Sequence, residues 1–279
     1  MRSKLYSLFA VALLVAVSVG FFGSTAEAAE KKVVIDGSTT VEPIARAFAG
    51  YYMARHPEVT VTVSGTGSGN GAKSLINDRC HIADMSRFMK DKEFEAAVDA
   101  GVHPVFHTVA MDGIAVAVHK SNPVSGLSLD QLRKIYNGSI DNWSEVGGPD
   151  RDITVVSRDT TSGTYEVFGD IVLQGDRIRD AEYVGSNAAA RARVADTPGA
   201  IGYIGLGFVE GVKALQIDGV TPTMKTVGAG EYPIARPLFM VTDGYPELGS
   251  PTQALVTMHL KPYGQEMIKG IGYVPVTQY

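Results

Sequence analysis

The chain has 279 residues, 25 of them basic and 30 acidic, with a formal net charge of −5 and one cysteine, Cys80. The acidic balance does not favour nucleic acid or an anionic membrane as a partner, and a single cysteine excludes an intrachain disulfide and a cysteine-based metal site. The length and the apolar content of 45% suit one large or two medium globular domains.

The N-terminal residues have the pattern of a secretory signal peptide. Arg2 and Lys4 precede an apolar run at 8–17, and Ala26–Ala28 supplies small residues for a cleavage site. The run is shorter than the roughly 20 residues that a membrane-spanning helix needs. We therefore predict that residues 1–28 are a cleaved signal peptide and that the mature protein is periplasmic.

Short β-branched runs alternate with helical patterns along the rest of the chain, which predicts an α/β fold. After the first strand, apolar residues at helical spacing from Ile44 to Tyr52 predict a helix that ends near Pro57. The predicted strands are Val33–Ile35, Val59–Val63, Ile114–Val118, Ile153–Val156 and Ala200–Ile204.

Three of these strands are followed by the same kind of turn and then by a helix. The turns read DGSTT at 36–40, SGTGSGNG at 64–71 and SRDTTSGT at 157–164. Thr39 and Glu42 have the spacing of a capping box for the first helix. Phe168, Ile171 and Val172 predict the apolar face of the third helix.

A helix start presents unpaired N–H groups and a partial positive charge, which favours an anion. Glycine lets the backbone approach a ligand, hydroxyls donate hydrogen bonds, and Arg158 can form a bidentate pair with an oxyanion. Any one turn could be a simple cap. The recurrence of three turns, with an arginine in one, indicates an oxyanion site.

These segments resemble the phosphate-binding proteins of ABC-type phosphate uptake systems, the PstS-like family. The resemblance rests on DGSTTV at 36–41, SGTGSG at 64–69, and Ser157-Arg158 followed by TSGT at 161–164. It continues in LRKIYNG at 132–138 with Asn142-Trp143, and in PGAIGY at 198–203. It spans nearly all of the mature chain.

The resemblance implies a two-lobed periplasmic-binding-protein fold of type II, with the ligand in the cleft between the lobes. Lobe I would comprise residues 29–112 and 236–279, and lobe II residues 113–235. The implied function is capture of inorganic phosphate and its delivery to an ABC transporter permease by a monomer. No catalytic residue, cofactor or metal is implied.

Carried over position by position, the resemblance implies a set of phosphate-binding residues. They are Ser38, Thr39, Thr40, Ser68, Gly69, Ser86, Asp112, Arg158, Ser162, Gly163 and Thr164. The chain departs from some relatives at two positions, because Ser86 and Thr160 stand where those relatives have carboxylates. It therefore stays open whether Asp159 orients Arg158.

A buried carboxylate would distinguish phosphate from sulfate, because hydrogen phosphate carries a proton that the carboxylate can accept and sulfate does not. Asp112 is the first candidate, since it lies at the predicted crossing between lobes. Asp84 is the second.

Two other functions stay open at this point. Sulfate, molybdate or tungstate would also suit neutral donors at helix starts. A secreted phosphoester hydrolase would use similar residues, but the sequence has no G-x-S-x-G elbow and no H-E-x-x-H motif. The stretch GSGNGA at 67–72 fits a dinucleotide fingerprint only weakly, since it explains neither of the other two turns.

Overall fold

The computed structural model describes residues 32–277. The predicted signal peptide therefore lies outside the described residues. Strands and helices alternate along the chain, as the sequence predicts. The strands are β1 (Lys32–Gly37), β2 (Thr60–Gly65), β3 (Ile82–Met85), β4 (Pro104–Val118), β5 (Gly126–Leu127), β6 (Thr154–Arg158), β7 (Ala181–Val184), β8 (Ala200–Gly205), β9 (Lys213–Ala214), β10 (Gln216–Ile217), β11 (Ala235–Asp243) and β12 (Val274–Pro275).

The α-helices follow the strands and cover the sheet. They are α1 (Glu42–Met53), α2 (Ser68–Ile76), α3 (Asp91–Asp99), α4 (Leu129–Tyr136), α5 (Gly163–Phe168), α6 (Asn187–Asp196), α7 (Met224–Gly228), α8 (Pro251–Val256) and α9 (Pro262–Ile271). Between residues 32 and 277, no helix has both the length and the apolar character needed to cross a membrane.

One long strand joins the two parts of the main sheet, whose order is β2-β1-β3-β11-β4-β8-β6-β7. The residues of β4 up to Gly113 pair with β11, and those from Ile114 onward pair with β8. We refer to residues 32–112 and 236–277 as region I and to residues 113–235 as region II. These bounds follow the predicted lobes, and the division into lobes stays a prediction.

Separate hydrophobic clusters lie in the two regions. In region I, α1 packs Ile44 and Phe48 against Val33 and Ile35 of β1. In region II, the fully buried Trp143 packs in a cluster with strand and helix residues, and its indole N–H donates to Gly199 O at 2.9 Å. Each region thus holds its strand ends in place with a core of its own.

The predicted elements are confirmed, with small shifts of their ends. All five predicted strands are present, and the helix predicted after β1 is α1, which ends at Met53. The third predicted helix is confirmed in part, because α5 ends at Phe168 and the chain continues as a short π-helix at Gly169–Leu173.

The predicted capping box at α1 is wrong. The N-cap of α1 is Val41, and no side chain caps the helix there. The Oγ of Ser38 instead accepts hydrogen bonds from the N–H groups of Thr40 and Val41. Because Ser38 satisfies the backbone of this turn, the hydroxyl of Thr39 is available for contacts outside the helix.

Candidate functional site

The three predicted turns meet at one place, although they are far apart in sequence. The hydroxyl oxygens of Thr40 and Thr164 lie 3.2 Å apart. A methyl group added to Gly163 would lie 2.5 Å from Ser68 Oγ and 2.6 Å from Ser86 Oγ. Region I thus supplies Thr40, Ser68 and Ser86, and region II supplies the start of α5.

The strand directions explain this convergence. The turns follow the carboxyl ends of β1, β2 and β6, and β1 is parallel to β2 while β6 is parallel to β7 and β8. Parallel strands place their carboxyl ends at the same edge, which groups the turns after β1 and β2. In the sheet, β1 runs in the same direction as β4, from region I toward region II, whereas β6 runs in the opposite direction, so the carboxyl ends of β1 and β6 face each other where the regions meet. At the start of α5, the first N–H groups have no carbonyl partner within the helix.

Thr39 and Thr40 are joined to region II by side-chain hydrogen bonds. Arg158 Nη2 donates to Thr39 Oγ1 at 3.2 Å. The amide of Asn187 donates to Thr39 Oγ1 at 3.1 Å and to Thr40 Oγ1 at 2.9 Å. All four side chains are buried, so these polar groups are shielded from bulk water where the two regions meet.

A second buried arginine lies on the opposite side of the threonine hydroxyls. Arg236 in β11 donates from Nη2 to Thr40 Oγ1 at 3.2 Å and to Thr164 Oγ1 at 2.9 Å. Its Nη1 donates to Ser86 Oγ at 3.2 Å, and Ser86 Oγ is 3.3 Å from Ser68 Oγ. Arg236 therefore connects all three groups of hydroxyls.

Asp112 holds this arginine in place. Its Oδ2 accepts from Arg236 Nη2 at 2.9 Å and from Nε at 3.1 Å, while its Oδ1 accepts from the N–H of Leu206 at 2.9 Å. Burial raises the pKa of Asp112, and the guanidinium and the Leu206 N–H oppose that rise. The charge of Arg236 is thus balanced by a carboxylate inside the protein.

No carboxylate of the described residues contacts Arg158 in the way that Asp112 contacts Arg236. Arg158 is 1% exposed, and no carboxylate of residues 32–277 lies within salt-bridge distance of it. Its Nε donates to Val184 O at 3.2 Å and its Nη2 to Gly185 O at 2.9 Å, while the buried Nη1 has no hydrogen-bond partner among the described residues. Burial lowers the pKa of Arg158 to about 10, because a buried cation is poorly solvated, and the nearby but non-contacting Asp159 opposes this only in part.

The other predicted residues have identifiable roles in this arrangement. Ser162 Oγ caps α5 by accepting from the N–H of Tyr165 at 3.3 Å. The N–H of Gly69 donates to Thr161 O at 3.0 Å, which links α2 of region I to the turn before α5. Asp159, whose role the sequence left open, accepts from the N–H and hydroxyl of Thr161 and so holds that turn.

Asp84, the second candidate for a proton acceptor, is fully buried in β3. Neither carboxyl oxygen has a hydrogen-bond partner among the described residues. Burial, together with the nearby acids Glu42 and Asp36, raises the pKa of Asp84 well above its ordinary value. The burial disfavours the charged form of Asp84, and no described residue connects its carboxyl oxygens to the hydroxyls of the site.

Sequence reasoning missed two residues of the site, Asn187 and Arg236. Asn187 starts α6 after Val184-Gly185-Ser186, a fourth strand–turn–helix junction that the pattern search could have found. Arg236 was detectable as the one charged residue within the otherwise apolar run from Ile234 to Val241. Across residues 32–277, no group of three or more potential metal ligands is present.

Comparison with known proteins gives a consistent result. The PBP superfamily domain matches residues 23–257. The phosphate-binding protein PstS of Bacillus subtilis is 34% identical over 253 residues, covering 90% of this chain and 83% of that protein. PstS of Borreliella burgdorferi is 31% identical over 88% of this chain and 91% of that protein. Both relatives are named as binding proteins and not as enzymes.

Solved structures are similar over the same extent. A candidate phosphate ABC transporter substrate-binding protein from Clostridium perfringens, solved with bound phosphate, has a TM-score of 0.80 and 32% identity and covers 88% of this chain and 100% of its own. An ABC-type phosphate transport receptor from Vibrio cholerae has a TM-score of 0.67 and 31% identity, with coverages of 87% and 99%. The likeness confirms the predicted α/β fold of the type II periplasmic-binding-protein class.

Proposed function

Because the chain belongs to the PstS family of phosphate-binding proteins within the PBP superfamily, we propose that it captures inorganic phosphate outside the cytoplasm and delivers it to an ABC transporter. One observation carries this proposal. A buried guanidinium, that of Arg158, faces a group of hydroxyls with one nitrogen unpartnered and no carboxylate in contact. Such a cation is stabilised by an anion of a size that fits between the two regions.

The donors of the site match a tetrahedral oxyanion. Thr39, Thr40, Ser68 and Thr164 offer hydroxyls, and the N–H groups of Gly163 and Thr164 lie at a helix start, where anions are favoured. Arg158 supplies the charge that is not balanced within the protein. Ser38 and Ser162 fix the backbone of their turns, and Gly69 links the two regions.

The residues missed by the sequence complete the site in this proposal. Arg236 places a second guanidinium beside Thr40 and Thr164, and Asn187 orients the hydroxyls of Thr39 and Thr40. Since Asp112 balances only Arg236, the three charged groups sum to one net positive charge. A phosphate bearing one or two negative charges would therefore enter a site with a favourable potential.

We keep Asp112 as the acceptor of the phosphate proton. Its raised pKa makes the carboxylate a stronger hydrogen-bond acceptor, and its Oδ2 lies beside the site, 2.9 Å from the Arg236 Nη2 that also contacts Thr40, so a direct contact with the ligand proton is the proposed step. Sulfate has no proton to share with it, so the carboxylate would oppose sulfate binding. The carboxyl group of Asp84 has no hydrogen bond to any described residue of the site, which supports this choice.

In the proposed cycle, regions I and II are two lobes that close around phosphate. Closure would bring the turns of region I against the start of α5, as in the contacts between Thr40 and Thr164. The closed form would then dock on the permease of the transporter. The signal-peptide pattern at residues 1–28 supports a periplasmic site of action, and a monomer is sufficient because both halves of the site come from one chain.

Isothermal titration of phosphate-free mature protein with phosphate, arsenate, sulfate and molybdate tests the proposal. We expect saturable binding of phosphate and arsenate with one site per chain, and much weaker binding of sulfate. Tighter binding of molybdate or sulfate than of phosphate would show that the physiological ligand is a different oxyanion. Absence of binding to all four anions would reject the oxyanion function.

A further inference from the structure

Four charged residues join the two regions outside the phosphate site. Glu166, in the first turn of α5, approaches two cations of region I. Its Oε2 lies 2.7 Å from Arg87 Nε, and its Oε1 lies 2.9 Å from Lys90 Nζ. Arg87 also pairs with Glu93 in α3.

Arg87 is fixed by its own region before Glu166 approaches. Its Nη1 donates to Glu93 Oε2 at 2.7 Å and to the carbonyl of Phe88 at 2.7 Å, and its Nη2 donates to Glu93 Oε1 at 2.9 Å. This bidentate pair leaves Nε without a hydrogen-bond partner in region I, and its contact with Glu166 Oε2 is one of charge and proximity rather than an aligned hydrogen bond. The guanidinium therefore loses little conformational freedom when Glu166 binds it.

The burial of the contact strengthens it relative to a surface ion pair. The side chains of Arg87 and Glu166 are 7% and 14% exposed, so solvent and salt screen their attraction only weakly. Burial also raises the pKa of Glu166 despite the two cations. At Glu166 the cost of removing the carboxylate from water, together with repulsion from Glu93, exceeds the attraction of the two cations, whereas the burial of Arg87 is outweighed by Glu93 and by the same contact, which raise its pKa and so stabilise its charged form. The expected effect of the contact is therefore moderate.

The charges are complementary between the two regions. Arg87, Lys90 and Glu93 sum to one positive charge in region I, and Glu166 carries one negative charge in region II. If the regions separate, Arg87 keeps Glu93, whereas Glu166 loses both of its cationic partners. The contact therefore favours the state in which the regions touch.

We propose that Glu166 is a positioning residue that latches α5 against region I and thereby increases the affinity for phosphate. Glu166 lies three residues after Gly163, in the turn of helix that carries Gly163 and Thr164 into the site. Holding this turn keeps Thr164 against Thr40. The effect on affinity rests on the proposed function, whereas the effect on contact between the regions does not.

The amide of Gly69 reports on this contact directly. Its N–H donates to Thr161 O across the boundary between the regions. When the regions separate, this hydrogen bond is lost and the amide exchanges with solvent. Hydrogen exchange of a peptide spanning residues 66–72, measured without ligand, therefore follows the latch whether or not phosphate binds.

The test compares Glu166→Gln with Glu182→Gln. Glu182 pairs with Arg193 within region II, and both side chains are about half exposed, so it serves as a matched control. For Glu166→Gln we expect about tenfold weaker phosphate binding through faster dissociation, and faster exchange at Gly69 in the ligand-free protein. Glu182→Gln should leave both unchanged. Lys90→Gln should give a smaller effect that is not additive with Glu166→Gln.

Two results would refute the proposal that Glu166 latches α5 against region I. One is a Glu166→Gln variant that binds phosphate within twofold of the unaltered protein and protects Gly69 equally well. The other is an equal loss in the Glu182→Gln control. If the unaltered protein binds no phosphate, the proposed function fails, and the exchange at Gly69 still decides whether Glu166 holds the regions together.

Discussion

Replacing Arg158 by alanine should greatly weaken phosphate binding. In the proposed complex the guanidinium pairs with a desolvated anion, and truncating one partner of such a pair typically costs about 2–5 kcal/mol. This corresponds to a loss of affinity of about 30- to 5,000-fold. Arg193→Ala is the matched control, since Arg193 is a partly exposed arginine that pairs only with Glu182 at the surface.

The same replacement should change the stability of the ligand-free protein very little. Alanine removes three hydrogen bonds, to Val184 O, Gly185 O and Thr39 Oγ1, which together contribute about 3 kcal/mol. It also removes a buried cation whose pKa is lowered to about 10, and that lowering corresponds to about 3 kcal/mol of unfavourable free energy. The two contributions nearly cancel, so we expect a change in unfolding free energy of less than about 2 kcal/mol.

Two measurements distinguish the effect of the replacement on phosphate binding from its effect on stability. Isothermal titration gives the affinity for phosphate, and urea unfolding without phosphate gives the stability. A variant that binds phosphate within threefold of the unaltered protein would refute the assignment of Arg158 as the uncompensated cation of the site. A variant that loses both binding and most of its stability would show that Arg158 acts mainly as a structural residue.

Three further predictions follow from the geometry. Gly163→Ala should weaken phosphate binding about 5- to 150-fold, because a methyl group there would collide with two serine hydroxyls of region I. Gly169→Ala is the control, since no atom lies within 4 Å of the added methyl group. Equal affinities of the two variants in titration would contradict the prediction. Asp112→Asn should destabilise the protein by about 3–5 kcal/mol in urea unfolding, because it leaves Arg236 buried without its carboxylate. In titration the ratio of the phosphate affinity to the sulfate affinity should decrease. An unchanged ratio would contradict the proposal that Asp112 accepts the phosphate proton. Since the pKa of Asp84 is raised in the folded state, its contribution to stability is fully present below its unfolded pKa and is lost as the pH rises through its folded pKa. Asp84→Asn should therefore give a protein whose unfolding free energy in urea falls less steeply as the pH rises above about 4, the ordinary pKa of aspartate. Parallel pH profiles for the two proteins would contradict this.

The sequence predicted most of what depends on short stretches of chain. Strand patterns, the three hydroxyl-rich turns and the helices after them are set by neighbouring residues, and they are found within a few residues of their predicted ends. The one local error, the capping of α1, arose because Thr39 has capping-box spacing to Glu42, whereas the adjacent Ser38 is the residue whose hydroxyl accepts from the turn. Only the backbone path decides which of two adjacent hydroxyls satisfies the helix start.

The sequence explains only part of why the predicted site residues come together. Parallel strands bring their carboxyl ends to one edge, which groups the turns after β1 and β2, whereas the turn after β6 meets them because β6 runs in the opposite direction on the other side of β4. Thr40 and Thr164 are in contact although 124 positions separate them. Whether these residues bind phosphate stays a prediction until titration tests it.

Tertiary structure alone decided how the charges are distributed. Asp112 and Arg236 lie 124 positions apart and pair in the interior, so that Arg158 is the one of these two buried arginines with no carboxylate in contact. Likewise, no pattern in the sequence joins Arg87 to Glu166. Local residue order determines backbone conformation, whereas the partner of a buried charge is determined by which strands lie side by side, and that depends on the packing of the whole chain.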